Sequence, residues 1–380
     1  MTAAPTDRAS RAPARIPSAL KAALPSWITA RVLVTTALGI ARLLVDRGRV
    51  DDPLARVTVS QGLLAWDGSF YADIARSGYA ALPREALRFF PLTPMLGRAV
   101  GWIGVGPRIG VAIVANAAAL AAGALLWTLV RREGFGADAA RRSVWLLALM
   151  PAAFVLVLGY AEAVFLACAI GVFIAARDKR WLIAALLGVL AGLSRPAGFV
   201  VAVPIAIEAA RSLSTTRPSE VVRRVLAVLA PFAGTGLFLW WVDGQFGDAL
   251  LPFRVQTRAN LKGSFTNPVA SVSHAMHGLF HGHIGTGLHI PWMVVAASLV
   301  VVCFRRLPAS YGWFALITLA SAVTSHNLDS FERYALSAFP LVIAVALIAD
   351  RTWLERSVLT VSAVAMTAYA TLAFLHVYVP

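Results

Sequence analysis

Charge is scarce in this chain, and so is cysteine. Of its 380 residues only 14% are Asp, Glu, Lys or Arg, well under the ~25% usual in soluble domains. The two cysteines, Cys168 and Cys303, both sit inside apolar runs, which excludes a disulfide framework and a cysteine metal site. No internal repeat occurs, and no low-complexity tract beyond the amino-terminal tail. A nucleotide-binding fingerprint is missing too, because Gly104-Val105-Gly106 lacks the preceding strand and the spacing of a dinucleotide turn. What remains is hydrocarbon: 59% of residues are hydrophobic and the mean hydropathy is +0.73. Such a chain is a polytopic membrane protein. A hydrocarbon layer of about 30 Å takes about 20 apolar residues per crossing, so little room is left for a soluble domain.

The net charge of +15 would suggest a nucleic-acid partner in a soluble protein. Here the cations gather in short links between apolar runs, so they read as membrane topology and no nucleic acid is implied. Residues 1–26 form a basic tail with Arg8, Arg11, Arg15 and Lys21. The apolar run 27–45 behind it is too long for a signal-peptide core, which makes it an uncleaved first helix with a cytoplasmic amino terminus. Further runs at 107–130, 143–159, 161–177, 181–194, 197–210, 224–243, 290–304, 311–326, 333–349 and 357–378 bring the total to about eleven transmembrane helices. Threaded alternately, they put Arg131/Arg132/Arg141/Arg142, Arg177/Lys179/Arg180, Arg211/Arg217/Arg223/Arg224, Arg305/Arg306 and Arg351/Arg356 all inside, and the carboxyl terminus outside. The segment 92–105 is expected as a short helix in or dipping into the outer leaflet, because a full crossing there would turn every basic link outward. Residues 27–380 are thus one all-α transmembrane domain, with outer loops 46–106 and 244–289 bearing interfacial helices. Arg greatly outnumbers Lys and Ala is abundant, as in GC-rich bacterial coding sequences, which points to a bacterial plasma membrane.

Ionisable residues recur at the outer ends of the runs. The first outer loop holds Trp66-Asp67-Gly68-Ser69-Phe70-Tyr71-Ala72-Asp73. On a helix, Trp66, Phe70 and Ile74 would form a stripe facing the bilayer surface, with Asp67 one turn from Tyr71. Arg88-Phe89-Phe90-Pro91-Leu92-Thr93-Pro94 follows, its prolines stopping regular helix. Tyr160-Ala161-Glu162 sets an acid at one outward turn, Ser194-Arg195-Pro196 a cation at another, and Ser330-Phe331-Glu332-Arg333-Tyr334 a third ionic group. Each alone reads as a helix end; together, on one side of a membrane that penalises bare charge, they read as a polar site.

In that order these motifs resemble the phosphatidylinositol-glycan class V mannosyltransferase family and its bacterial relatives, over about residues 60–345. The elements that carry the resemblance are Trp66-Asp67-Gly68 through Gly78-Tyr79, Phe90-Pro91-Leu92-Thr93-Pro94, Gly159-Tyr160-Ala161-Glu162, Ser194-Arg195-Pro196-Ala197-Gly198, and Glu332-Arg333-Tyr334 before Phe339-Pro340. Thr93 stands where the family often has Tyr, and Ala161 where Thr is common. The resemblance implies a type C membrane glycosyltransferase fold, a polyprenyl-phosphate sugar as donor, and an acidic catalytic residue in the first outer loop, which falls on Asp67.

The residues fit that chemistry. An inverting transfer needs a base for the acceptor hydroxyl, here Asp67. It also needs forked cations for the leaving phosphate, here Arg195 and Arg333, with Arg258 and Lys262 as further candidates. Trp66, Tyr71, Asp73, Tyr160 and Glu162 are candidates for holding the sugar or the acceptor, a lipid or a protein hydroxyl. In the second outer loop His274, His277 and His281 form a stripe beside His283 and His289. Their spacing suits zinc, but no carboxylate ligands accompany them. An amphipathic interfacial helix is the preferred reading, with no metal and no cofactor, its imidazoles open to the donor phosphate. A lipid or solute transporter is the rival class, yet it calls for internal repeats and charges near the midplane. A non-catalytic cell-envelope assembly partner is the other.

Overall fold

The computed structural model of the chain describes residues 16–211, 213, 217–257, 273, 276, 289–323 and 331–379, which contain helices, turns and coil and no strand. Among the described residues five helices are long and apolar enough to cross a membrane: α1 (Ile16–Asp46), α5 (Pro107–Arg132), α10 (Pro218–Phe246), α12 (His289–Arg306) and α16 (Thr352–Phe374). The expected crossing at 333–349 is a pair, α14 (Phe331–Ser337) and α15 (Pro340–Ile348), bent by 81°.

The other five expected crossings are shorter helices: α6 (Ala137–Leu149), α7 (Glu162–Arg177), α8 (Trp181–Ser194), α9 (Ala202–Ala210) and α13 (Ala309–Ala322). At about 1.5 Å per residue none exceeds roughly 24 Å, short of the hydrocarbon thickness. Proline explains the interruptions. Pro151 opens a 3₁₀ turn over Pro151–Leu156 and Pro196 another over Pro196–Val201, with Met150 (ψ 149°) and Arg195 (ψ 154°) held extended before them. A residue preceding proline is pushed away from helical backbone by the ring. Helix α7 is apolar on every side and buried nearly throughout, so it is surrounded by protein, not by lipid.

The first outer segment carries α2 (Pro53–Gln61), α3 (Asp67–Ser77) and α4 (Leu92–Gly101), and α11 (Leu251–Gln256) follows α10. The 92–105 segment is therefore one short helix. It starts at Leu92 despite its prolines, because Pro94 lies in the first turn, where no intrahelical N–H bond is lost. Helix α8 lies against α10 at backbone distance: a Cβ on Gly192 would sit 2.1 Å from the Pro231 carbonyl oxygen. That contact fixes where the end of α8, and with it Arg195, is presented.

All the basic links collect at one end of the bundle. Arg177 makes a paired contact with Glu133 (2.8 Å on both oxygens) and reaches Glu208. Tyr311 donates to Glu133 and Ser310 to Glu208. Arg141 pairs with Glu355, and Arg224 donates to the carbonyls of Ala209 and Arg211. The basic links read from sequence thus share one end, and helix α7 runs from there to the other end, where Glu162 stands.

Candidate functional site

Helix α3 begins at Asp67 itself, one residue later than a stripe through Trp66 requires. Trp66 holds φ 57° and ψ −128°, a backbone region costly for any residue but glycine. Its side chain is pinned: Nε1 donates to the Ala373 carbonyl (2.9 Å) and the indole stacks on His376, ring centroids 4.4 Å apart. His376 also has a positive φ, 61°. Phe70 stacks on Phe89, and Ile74 is fully buried. The expected bilayer stripe is therefore a protein-facing one, a correction that follows from burial. The Gly159 N–H donates to the Leu63 carbonyl (2.8 Å), and Gly68 lies against the Gly159 backbone. This close approach lets the Asp67 N–H donate to the Tyr160 hydroxyl oxygen (3.3 Å).

Five charged side chains meet here. Arg333 Nη1 donates to Asp67 Oδ2 at 2.7 Å, and Arg88 Nη2 lies 3.7 Å from Asp67 Oδ1. Glu162 Oε1 is shared by Arg195 Nη2 (3.2 Å) and Arg333 Nε (3.3 Å). Arg195 Nη1 donates to Ser337 Oγ (2.6 Å), which donates to the Arg333 carbonyl. Aromatic faces back the cations: Arg333 over Tyr160 (5.3 Å), Arg195 over Tyr334 (5.2 Å), Arg88 over Phe89 (4.6 Å). Three guanidiniums against two carboxylates leave one net positive charge. Among the described residues, Arg88 Nε is buried with no hydrogen-bond partner, and Arg333 Nε, though 3.3 Å from Glu162 Oε1, lacks hydrogen-bond geometry to it; Arg132 Nε at the basic end is likewise unpartnered. Forked cations with an unused donor can receive an anion.

The Asp67 side chain keeps 24% of its exposure, so the cluster is open to a ligand. Burial works to raise the Asp67 carboxyl, but the Arg333 and Arg88 charges prevail and hold it below the ordinary carboxylate value. Tyr71, buried and beside Glu162 and Asp67, is pushed well above the usual phenol value and stays protonated.

Of the residues singled out from sequence, the structure brings together Asp67, Tyr71, Tyr160, Glu162, Arg195 and Arg333, with Trp66 adjoining. Asp73 points elsewhere, to Arg108 at 2.7 Å, six residues and about 600° of helix beyond Asp67. Arg258, Lys262, His274, His277, His281 and His283 lie outside the described residues. His289 is buried and contacts Glu332 (2.9 Å), which also accepts from the Tyr378 hydroxyl (3.1 Å). Arg88, Ser337, Tyr334, His376 and Tyr378 were not marked as site residues by sequence. Arg88 carried the best signal, a lone cation ahead of Phe89-Phe90-Pro91. Among the described residues no group of three or more His, Cys, Asp or Glu side chains is placed to hold a metal ion.

No protein-family model matches the chain, and no curated protein sequence does. Among solved structures, the chain is similar to the archaeal oligosaccharyltransferase AglB from Archaeoglobus fulgidus in complex with an inhibitory peptide and a dolichol-phosphate, at a TM-score of 0.45 and 14% identity, covering 91% of this chain and 56% of that one. A structure of the Archaeoglobus fulgidus oligosaccharyltransferase tethered to an acceptor peptide matches at a TM-score of 0.40 and 13% identity, covering 77% and 48%. The chain spans about half the length of the solved structures it matches.

Proposed function

We propose that this protein is a membrane glycosyltransferase that moves a hexose, mannose in the first instance, from a polyprenyl-phosphate sugar to a hydroxyl of a lipid or protein acceptor. The reaction takes place at the end of the bundle opposite the basic links, the outer face of a bacterial plasma membrane if basic links stay inside. The observation that carries this reading is a partly open carboxylate, Asp67, gripped by two guanidiniums whose donors are not used up. The order of motifs from Trp66 to Pro340 supports mannose as the sugar.

The acceptor oxygen attacks the anomeric carbon while Asp67 takes its proton. A new glycosidic bond forms, the bond from the anomeric carbon to the phosphate oxygen breaks, and polyprenyl phosphate leaves with one more negative charge than the donor carried. Arg333, Arg88 and Arg195 meet that charge as it develops. The resting pairing makes Asp67 a weak base, since Arg333 and Arg88 stabilise its ionised form. A donor phosphate that draws these cations away leaves burial to raise the carboxyl, so base strength rises when the donor is in place. A transporter would place its charges along a midplane path, whereas these gather at one end.

The test is transfer by the purified protein in liposomes from polyprenyl-phosphate mannose, labelled in the sugar, to extracted membrane lipids and to protein. Label appearing in a product supports the reading. Absence of transfer from any polyprenyl-phosphate sugar, with the protein folded, overturns it.

A further inference from the structure

A second charged feature lies at the opposite end of α7 from Asp67, and the transfer chemistry does not use it. The turn between α7 and α8 and the start of α10 enclose a cleft of about 390 Å³ lined by Lys179, Arg180, Trp181, Arg217, Glu220 and Arg223, among others. Its one acid is already engaged: Glu220 accepts from Arg224 (2.7 Å) and from Trp181 Nε1 (3.3 Å). Lys179, Arg180, Arg217 and Arg223 are exposed, and among the described residues none of them joins an ion pair. Arg224 is buried beneath, over the Trp181 ring at 5.1 Å and bonded to the carbonyls of Ala209 and Arg211. The wall is therefore rigid and its surplus charge faces outward.

Two further observations say what the surplus is for. Lys179 sits at φ 58°, in the left-handed region where glycine is the low-cost choice after a helix. The chain accepts that strain and keeps a cation there. Leu182 and Ile183 line the cleft itself, and beside it α8 exposes Leu186 and α10 exposes Val222, Val225 and Leu226. Four cations at the head of an apolar surface, on a chain that crosses a membrane, match a ligand with an anionic head and hydrocarbon tails.

We propose that this cleft binds the phosphate headgroup of an anionic phospholipid, whose acyl chains lie on the exposed faces of α8 and α10. The site is independent of the sugar-transfer reaction. It is tested on the full chain in neutral detergent by native mass spectrometry with dioleoyl phosphatidylglycerol, dioleoyl phosphatidylcholine and, in a separate arm, inorganic phosphate. Arg180→Gln/Arg223→Gln should weaken phosphatidylglycerol binding roughly twenty-five-fold, about fivefold for each cation removed. Arg305→Gln/Arg306→Gln removes the same charge at the same end of the bundle and should change it less than about twofold. Lys179→Gly should lose about fivefold in binding while melting no lower than the parent, since glycine relieves the backbone strain; it decides the matter if the double variant does not fold. Equal loss in both double variants, or unchanged binding in Lys179→Gly, would overturn the site. So would inorganic phosphate or phosphatidylcholine displacing the anionic lipid.

Discussion

Replacing Asp67 by Asn separates two jobs that the proposed mechanism gives to one carboxylate. The change keeps size and the backbone bond to Tyr160 but removes proton acceptance and one negative charge. Loss of a general base costs about 10² to 10⁴ in rate. The second effect has the opposite sign for binding. Arg333 gives its shortest contact, 2.7 Å, to Asp67, and the cluster of three cations and two acids goes from a net charge of +1 to +2 on substitution. A hydrogen bond to a charged group is worth about 1.5–3 kcal/mol; part of it is recovered by the Asn oxygen, so freeing Arg333 and Arg88 should tighten donor binding about three- to tenfold. Arg333 remains held by Glu162 at 3.3 Å, which preserves the fold of the site. The assay pairs single-turnover transfer from labelled polyprenyl-phosphate mannose with equilibrium binding of the same donor in liposomes. A large fall in rate with equal or tighter donor binding is the expected outcome. Full activity in Asp67→Asn refutes the base role, and weaker donor binding refutes the competition between Asp67 and the donor phosphate for the same guanidiniums.

The same geometry fixes several smaller outcomes. Asp73→Asn breaks only a partly exposed pair with Arg108, worth about 0–1 kcal/mol, so transfer rate should stay within about threefold of the parent. Arg88→Gln removes one of the charges that lower the Asp67 carboxyl, so that carboxyl protonates at higher pH; the acid limb of kcat/KM should move upward, and an unmoved limb would detach Arg88 from Asp67. Arg333→Lys keeps charge but loses the fork, and should weaken donor affinity or turnover while the protein still inserts. Gly192→Ala drives a methyl group to 2.1 Å from the Pro231 carbonyl oxygen, and overpacking of this kind costs about 1–3 kcal/mol, to be read as a lower melting temperature.

What the sequence made legible follows from what membranes penalise. Asp67, Glu162, Arg195 and Arg333 stood out because each interrupts or ends an apolar run, and the structure gathers all four. Their pairing was not legible: Arg333 and Asp67 are 266 positions apart, and only the fold decides which acid takes which cation. Hydropathy located the apolar segments, but among the described residues only five of the eleven expected crossings are single helices long enough to span and a sixth is a bent pair; the breaks at Pro151 and Pro340 lay inside runs counted as single crossings. The stripe through Phe70 and Ile74 failed for a different reason. An apolar face on a short helix has the same period whether lipid or protein covers it, and here Phe89 and the core cover it.

The two ends of α7 show how a structural ion network differs from one prepared for a ligand. At the basic end, both oxygens of Glu133 are taken by Arg177 and one also by the Tyr311 hydroxyl, while Glu208 accepts from Ser310 and faces Arg177 and Arg211. Every donor of Arg177 that faces the interior has an acid to meet, which is how a buried charge avoids an uncompensated desolvation cost. At the other end, Arg195 and Arg333 divide a single oxygen of Glu162, Arg88 stands 3.7 Å from Asp67, the Arg88 Nε–H has no partner, and Arg333 Nε faces Glu162 at 3.3 Å without hydrogen-bond geometry. Buried donors left without acceptors cost stability. Unpartnered Nε–H groups occur at both ends, since Arg132 Nε is also buried without a hydrogen-bond partner; what sets the Asp67 end apart is that its surplus cation, Arg88, stands 3.7 Å from a partly open carboxylate, where on the proposed function the donor phosphate supplies the missing acceptor.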